Sequence, residues 1–336
     1  MISAHPFAGL ELGGDGSVVE GNYVGTNAAG TGALPNGEGI EIHGGQNNVI
    51  GGGTAAARNV ISGNANTGVR IEFPSTTSNF LRGNYIGLDA TGAKPLPNSR
   101  GVEIRDGAFD NVIGGSSAGY GNVISANAGD GIAMRDSGTH LNLVLGNLVG
   151  TDASGTKARG NSGAGVSFSA EASGINRVGG NTANESNTIA FNHGDGVLVD
   201  GASGPTNGDI VLRNSIFSNT GLGIRLANGG NDGQAAPTID SVTTGNTTTT
   251  IALSLSGAAP SESFRIDVYA SPKCDPSGAG EGKQYLGTKN ITTDGSGNGS
   301  ASLGTPARPA GEAITATAKD NGTDDSSAFS LCRATP

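Results

Sequence analysis

Over residues 1 to about 230, apolar and polar positions alternate in short bursts that return at a steady beat. A glycine followed by apolar, any, apolar occurs at Gly9-Leu10-Glu11-Leu12, Gly39-Ile40-Glu41-Ile42 and Gly68-Val69-Arg70-Ile71. The burst returns at Gly101-Val102, Gly131-Ile132, Gly165-Val166, Gly196-Val197 and Gly223-Ile224, eight occurrences spaced 27 to 34 residues. Alternation over four or five residues predicts strands, and no segment carries a useful 3.6-residue period, so helix is nearly excluded. Each unit offers a second short strand opening on a small polar residue: Ser17, Asn48, Asn79, Asn111, Asn142, Asn176 and Asp209. A third opens on asparagine: Asn22, Asn59, Asn84, Asn122, Asn147, Asn187 and Asn214. A longer echo overlies this beat, with GNYVGTNAAG, GNYIGLDATG and GNLVGTDASG placing Asn22, Asn84 and Asn147 62 and 63 residues apart.

Three strands per unit, none able to bury its apolar side alone, predict units stacked into a solenoid. With one turn per unit, equivalent strands pair in parallel about 4.8 Å apart and equivalent positions form columns. The fold expected is all-β: a right-handed parallel β-helix of about eight rungs, three strands per rung, over residues 1–230. Its hand follows from general chirality and from the resemblance given below. Columns of Ile, Val and Leu fill the interior. The asparagine columns suit bends, because Asn tolerates left-handed backbone and its amide bonds from rung to rung.

Repeats such as GNYIGLDATG, GVEIRDGAFDNVIGG and GNVISAN resemble those of right-handed parallel β-helix proteins of the pectate-lyase-like superfamily. They are more closely similar to repetitive β-helix segments of large bacterial surface and secreted proteins. The resemblance covers residues 1 to about 230. It implies the fold, and it implies that the first-strand face is where a polysaccharide groove lies. It does not fix an activity, since that superfamily holds lyases, hydrolases, tailspikes, adhesins and scaffolds.

Ile2 lies seven residues before Gly9, the offset of Ile61, Ile124, Ile189 and Ile216 from their own glycines. The chain is therefore expected to begin inside the third strand of a preceding turn, as a piece of a longer protein or one without its cap. Such an end invites end-to-end self-association.

Beyond Gly223-Ile224-Arg225-Leu226 the beat stops, and residues 228–236 read as a linker. From Pro237 the composition turns to Thr, Ser and Ala with strict alternation, as at Ile251, Leu253, Leu255 and at Phe264, Ile266, Val268. Further strands are expected at 238–242, 284–292, 300–303, 312–318 and 328–332. Seven short strands predict a second domain over residues 237–336, a small sandwich of immunoglobulin-like or fibronectin-like kind. The run SPKCDPSGAGEGKQYLG resembles C-terminal modules that follow such β-helices.

Composition narrows the function classes. The net charge is −10 with Lys and Arg scattered singly, so the footprint of a nucleic-acid binder is missing. No apolar stretch nears the roughly 20 residues that span a bilayer, and no signal segment opens the chain. The two cysteines, Cys274 and Cys332, point to a disulfide and an exported, extracellular or cell-surface protein; a buried reduced pair is the alternative.

Candidate chemistry lies in two outward columns of the first strand. One runs Glu11, Glu41, Arg70, Glu103, Ala133, Ser167, Leu198, Arg225; the other runs Gly13, His43, Glu72, Arg105, Arg135, Ser169, Asp200, Ala227. Charges gather on rungs two to five, making Glu41, His43, Arg70, Glu72, Glu103, Arg105 and Arg135 the glycan-binding candidates. Glu41 and Glu103, two rungs apart, approach the carboxylate spacing of inverting glycosidases. His43 beside Glu72 could act as an oriented acid or base, and Arg105 and Arg135 could hold a uronate carboxylate or, in one case, abstract a proton as in lyases. The plainer reading is a self-neutralising cross-strand ladder, since the charges alternate in sign. No cofactor or metal is expected; the turns at Asp294–Gly299 and Asp320–Asp325 read as hairpin turns, the second leaving room for a surface calcium ion. The histidines lack metal-ligand spacing, and no nucleophile elbow is present. The sequence thus favours a non-catalytic extracellular scaffold or adhesive module with a glycan-contacting face. The alternative is a polysaccharide lyase or glycoside hydrolase acting on the same face.

Overall fold

The computed structural model describes residues 1–172, 174–276 and 278–336. The eight glycine-led bursts become one parallel sheet whose strands follow in chain order: Leu10–Leu12, Ile40–Gln46, Thr67–Thr77, Arg100–Arg105, Ile132–Arg135, Val166–Ser169, Val197–Asp200 and Ile224–Ala227. The second strands, from Val18–Val19 to Ile210–Leu212, make a seven-stranded parallel sheet, and the third, from Tyr23–Val24 to Ser215–Phe217, make another. The result is a three-sheet parallel β-solenoid of about seven complete turns plus one closing strand. Ile2 joins the third column by a parallel bridge to Val24.

Register is held from turn to turn, with Ile40 opposite Val69 and Val69 opposite Val102. The inward positions therefore stack, and Ile40, Ile42, Ile61, Ile86, Ile104, Ile113 and Ile124 are fully buried in one continuous core. Bends between sheets need residues that accept left-handed backbone in tight space. At Gly114, with φ of 96°, an added Cβ would stand 1.9 Å from the Leu145 carbonyl oxygen, so only glycine fits.

The asparagine columns are hydrogen-bonded ladders. Asn48, Asn79, Asn111 and Asn142 each donate from the side-chain amide to the Oδ1 of the next asparagine at 2.9–3.1 Å. The same Oδ1 accepts a backbone N–H, as where Asn48 N donates to Asn79 at 3.0 Å. The column from Asn59 through Asn84, Asn122, Asn147 and Asn187 to Asn214 repeats the pattern. A further ladder, not foreseen from sequence, links Asn36, Asn64, Asn98, Asn127, Asn161, Asn192 and Asn219.

The C-terminal residues form two small antiparallel sheets around a shared core that includes Leu253, Phe264, Ile266 and Ile314. One sheet holds Thr238–Thr244, Thr248–Leu255 and Gly299–Pro306; the other orders Gln284–Thr292, Ser263–Ser271, Ala313–Asp320 and Arg333–Ala334. The strand expected at 328–332 is corrected: the last strand is Arg333–Ala334. In the preceding segment serine hydroxyls take the place of ladder groups, Ser327 Oγ and Ser330 Oγ accepting from Ala318 N and Ala316 N at 2.8 and 3.0 Å.

These sheets close the end of the solenoid. Tyr269 and Phe329 enter the solenoid core, with ring centroids 5.4 Å apart and edge-on. Ile216 and Gly282 form an antiparallel bridge. The Glu281 carboxylate accepts from Ser218 N at 2.6 Å and Asn219 N at 3.1 Å, ending one asparagine ladder. Asn231, in the stretch that reads as a linker, is fully buried and ends another by accepting from Asp209 N at 3.1 Å. Cys274 and Cys332 are joined in a disulfide, as the cysteine count suggested.

Candidate functional site

The sheet register assembles the charged columns as the repeat implies. Glu41 stands opposite Arg70, Arg70 opposite Glu103, His43 opposite Glu72 and Glu72 opposite Arg105. What the side chains do with this placement departs from a free acid–base array. The Glu103 side chain has no exposure, although its position points away from the core. Its oxygens meet Arg70 Nε at 3.2 Å, Arg100 Nη1 at 2.5 Å and Arg135 Nε at 2.9 Å. Three guanidiniums cover it, and a carboxylate this enclosed is stabilised only because it is paired.

Arg70 also reaches Glu38 at 2.5 Å and Glu41 at 3.9 Å. Glu41 and Glu103, the two carboxylates the repeat sets two rungs apart, are therefore bridged by a cation. Arg105 is held by Asp106 at 2.7 Å, Asp136 at 3.6 Å and Glu72 at 3.8 Å. The His43 imidazole, though in register with Glu72, pairs with Glu11 at 3.7 Å.

One carboxyl stands apart electrostatically. Burial first, then a hydrogen bond with the Glu41 carboxyl and repulsion from it, push Glu72 up to about 7 against the pull of Arg70 and Arg105. Burial also raises Asp136, only partly offset by Arg135 and reinforced by Asp106.

Sequence reasoning missed Glu38, Arg100, Asp106, Asp136 and Phe73. The first two directly precede the strand-opening glycines Gly39 and Gly101, and the Asp residues directly follow Arg105 and Arg135, so the signal lay one step outside each alternating burst. Phe73 arises from an irregularity. The register jumps from His43–Glu72 to Gly45–Thr76, looping out Phe73–Ser75. Gly44 N bonds Thr76 Oγ1 at 2.7 Å across the gap. Phe73 is left 45% exposed with φ of 76°, an unusual conformation for an aromatic residue. Nearby, Phe109 and His140 stack with centroids 5.0 Å apart.

Among the described residues no three His, Cys, Asp or Glu side chains gather as a metal-holding group. Asp294 accepts from Ser296 N and Asn298 N, and Asp320 from Gly322 N and Thr323 N, the hydrogen bonding of turns. No family model and no curated protein matches the chain.

Proposed function

We propose that the chain is an extracellular, non-catalytic scaffold or adhesive module, with a rod over residues 1–230, an immunoglobulin-like or fibronectin-like domain over 237–336, and a glycan-contacting face on the first sheet. The observation that carries the reading is the saturation of Glu103. Glu103, one of the two carboxylates expected to flank a scissile bond on this face, is engaged by three arginines, and one of them, Arg70, also lies between it and Glu41. The disulfide supports an oxidising, extracellular setting. Phe73 gives the face its point of glycan contact. A strained, exposed aromatic beside Glu72 and the His43 strand offers an apolar ring to a sugar while the charged rim offers hydrogen bonds.

A second reading, glycoside hydrolysis, is favoured by Glu72 alone. A carboxyl pushed up to about 7 beside a second carboxyl has the protonation state of a general acid near neutrality.

Incubation with a panel of acidic and neutral polysaccharides separates the two. The scaffold reading expects retention without new reducing ends or unsaturated products, and loss of retention in Phe73→Ser. Turnover abolished by Glu72→Gln would replace it with the hydrolase. Absence of both retention and turnover across the panel would remove the glycan face.

A further inference from the structure

A second feature lies away from the charged face, at the bend between the second and third sheets. Here the connections alternate in length. The third turn passes directly from Phe80–Leu81 to Tyr85–Ile86, while the second and fourth turns insert longer loops, 51–59 and 115–122. The long loops meet over the short bend. Gly83 N donates to Tyr120 O at 2.9 Å, and an added Cβ at Gly119 would stand 2.3 Å from Gly53 O. Between them lies a depression of about 280 Å³ bordered by Glu20, Gly52, Gly53, Thr54, Arg82 and Tyr120.

Arg82 is the unusual member. Its guanidinium is sandwiched between Phe80 and Tyr120, 4.0 and 4.6 Å from the two ring centroids. The other arginines among the described residues engage a carboxylate, a carbonyl or an amide. Arg58 bonds Gly83 O, Arg213 bonds Asn181 O and Arg333 bonds Ile239 O. Among the described residues the Arg82 side chain has neither a hydrogen bond nor an ion pair, and its Nε is buried without a partner. Stacking on two rings fixes a planar fork of donors and leaves its edge unused. The backbone N–H groups of Gly52 and Gly53, at the rim, donate to no group among the described residues.

We propose that this depression binds a hydroxylated monocarboxylate, the chemistry shared by a uronic acid unit and by a small hydroxy acid. The guanidinium takes the carboxylate as a bidentate pair. Glu20, on the same rim, accepts from a hydroxyl and opposes a second negative charge, which disfavours phosphate or sulfate dianions. The size, about 280 Å³ and just under the roughly 300–1,000 Å³ usual for small-molecule pockets, admits one unit and not a chain. The site is independent of the first-sheet face and stands if that reading fails.

The test is an amide NMR titration of the full chain with glucuronate, lactate, glucose and inorganic phosphate. Saturable shifts at Gly52, Gly53 and Tyr120 are expected with glucuronate, and none with glucose. A matching response to lactate assigns the site to hydroxy acids in general, and its absence assigns it to the sugar acid. Arg82→Gln is expected to weaken binding about tenfold or more. Because that change also loosens the ring sandwich, Glu20→Gln provides a second reading at an exposed residue: phosphate binding should strengthen and the preference for glucuronate should narrow. Silence with both acids, shifts unaltered by Arg82→Gln, or wild-type phosphate binding as tight as glucuronate overturns the proposal, leaving Arg82 as a clamp between two rings.

Discussion

At the scale of single residues, position in a repeat and environment turn out to be separate matters. The sequence placed Glu103 on the outer face, and the register confirms its neighbours, yet the side chain is sealed by Arg70, Arg100 and Arg135. No periodic pattern could have told this, because sealing depends on Arg100, which lies outside the alternating burst, folding back across it. Removing one member of a fully buried ion pair costs roughly 3–5 kcal/mol. The three arginines remain partly in water, so Glu103→Gln should cost about 2 kcal/mol, read as a lowered urea midpoint. Glu41→Gln, whose single arginine contact is 3.9 Å, should cost less; equal losses would mean the network is not closed on Glu103. Glu72 yields a pH dependence. Its folded value of about 7 lies above the ordinary 4.5, so its contribution to stability is complete below pH 4.5 and disappears as pH rises through about 7. Melting temperatures from pH 4 to 9 should therefore fall more for the wild type than for Glu72→Gln across that window. Parallel curves would show that burial and Glu41 do not hold the proton.

At the scale of elements, strands and two of the three ladders were legible because each opens at a fixed offset from an apolar pair. The third ladder was not seen, since its members lie in loops and none is followed directly by the apolar pair that marks the other two. Its signal was present: each of these asparagines sits three or four residues before a strand-opening glycine. The ladders also identify a local fault. Asp209 occupies a rung where the five before it carry asparagine, accepts from Asn176 at 3.2 Å, and leaves Oδ2 buried without a partner among the described residues. Asparagine there would complete the donor series. Burial, together with the charge of Asp325 and against the Asn176 hydrogen bond, holds Asp209 well above its ordinary 3.8. Its favourable contribution is thus complete below pH 3.8 and is lost as pH rises through the folded value. Asp209→Asn should stabilise the protein by about 1–3 kcal/mol at pH 8, the cost of an unsatisfied buried group, and by less at pH 4. A gain that does not change with pH would argue that the carboxyl is already neutral at both.

At the scale of the whole molecule, the parallel stacking that makes the core continuous leaves its last turn with open backbone and exposed apolar side chains. The C-terminal sheets and the short stretch before them answer both needs. Asn231, Glu281 and Ser326 supply polar partners to Asp209, Asn219 and Val211, while Tyr269 and Phe329 extend the core. The sequence showed where the repeat stops, but capping is a contact between segments 22 to 115 residues apart and leaves no periodic trace. Tyr269 concentrates the coupling, because its ring is buried in the solenoid core, its edge meets Phe329 and Tyr285, and its hydroxyl accepts from Arg213 N at 3.1 Å. Tyr269→Ala should cost about 3–5 kcal/mol, the range for a large buried aromatic. Leu253→Ala, confined to the core of the C-terminal sheets, should destabilise those sheets to a similar order. Hydrogen exchange distinguishes the two. In a stack where each turn contacts only its neighbours, loss of the Tyr269 plug should raise exchange at Ile210–Leu212 and Ser215–Phe217 and fade toward the first turns, whereas Leu253→Ala should leave those amides protected. Equal protection of the last turn in both variants would mean that the C-terminal sheets rest against the rod without supporting it.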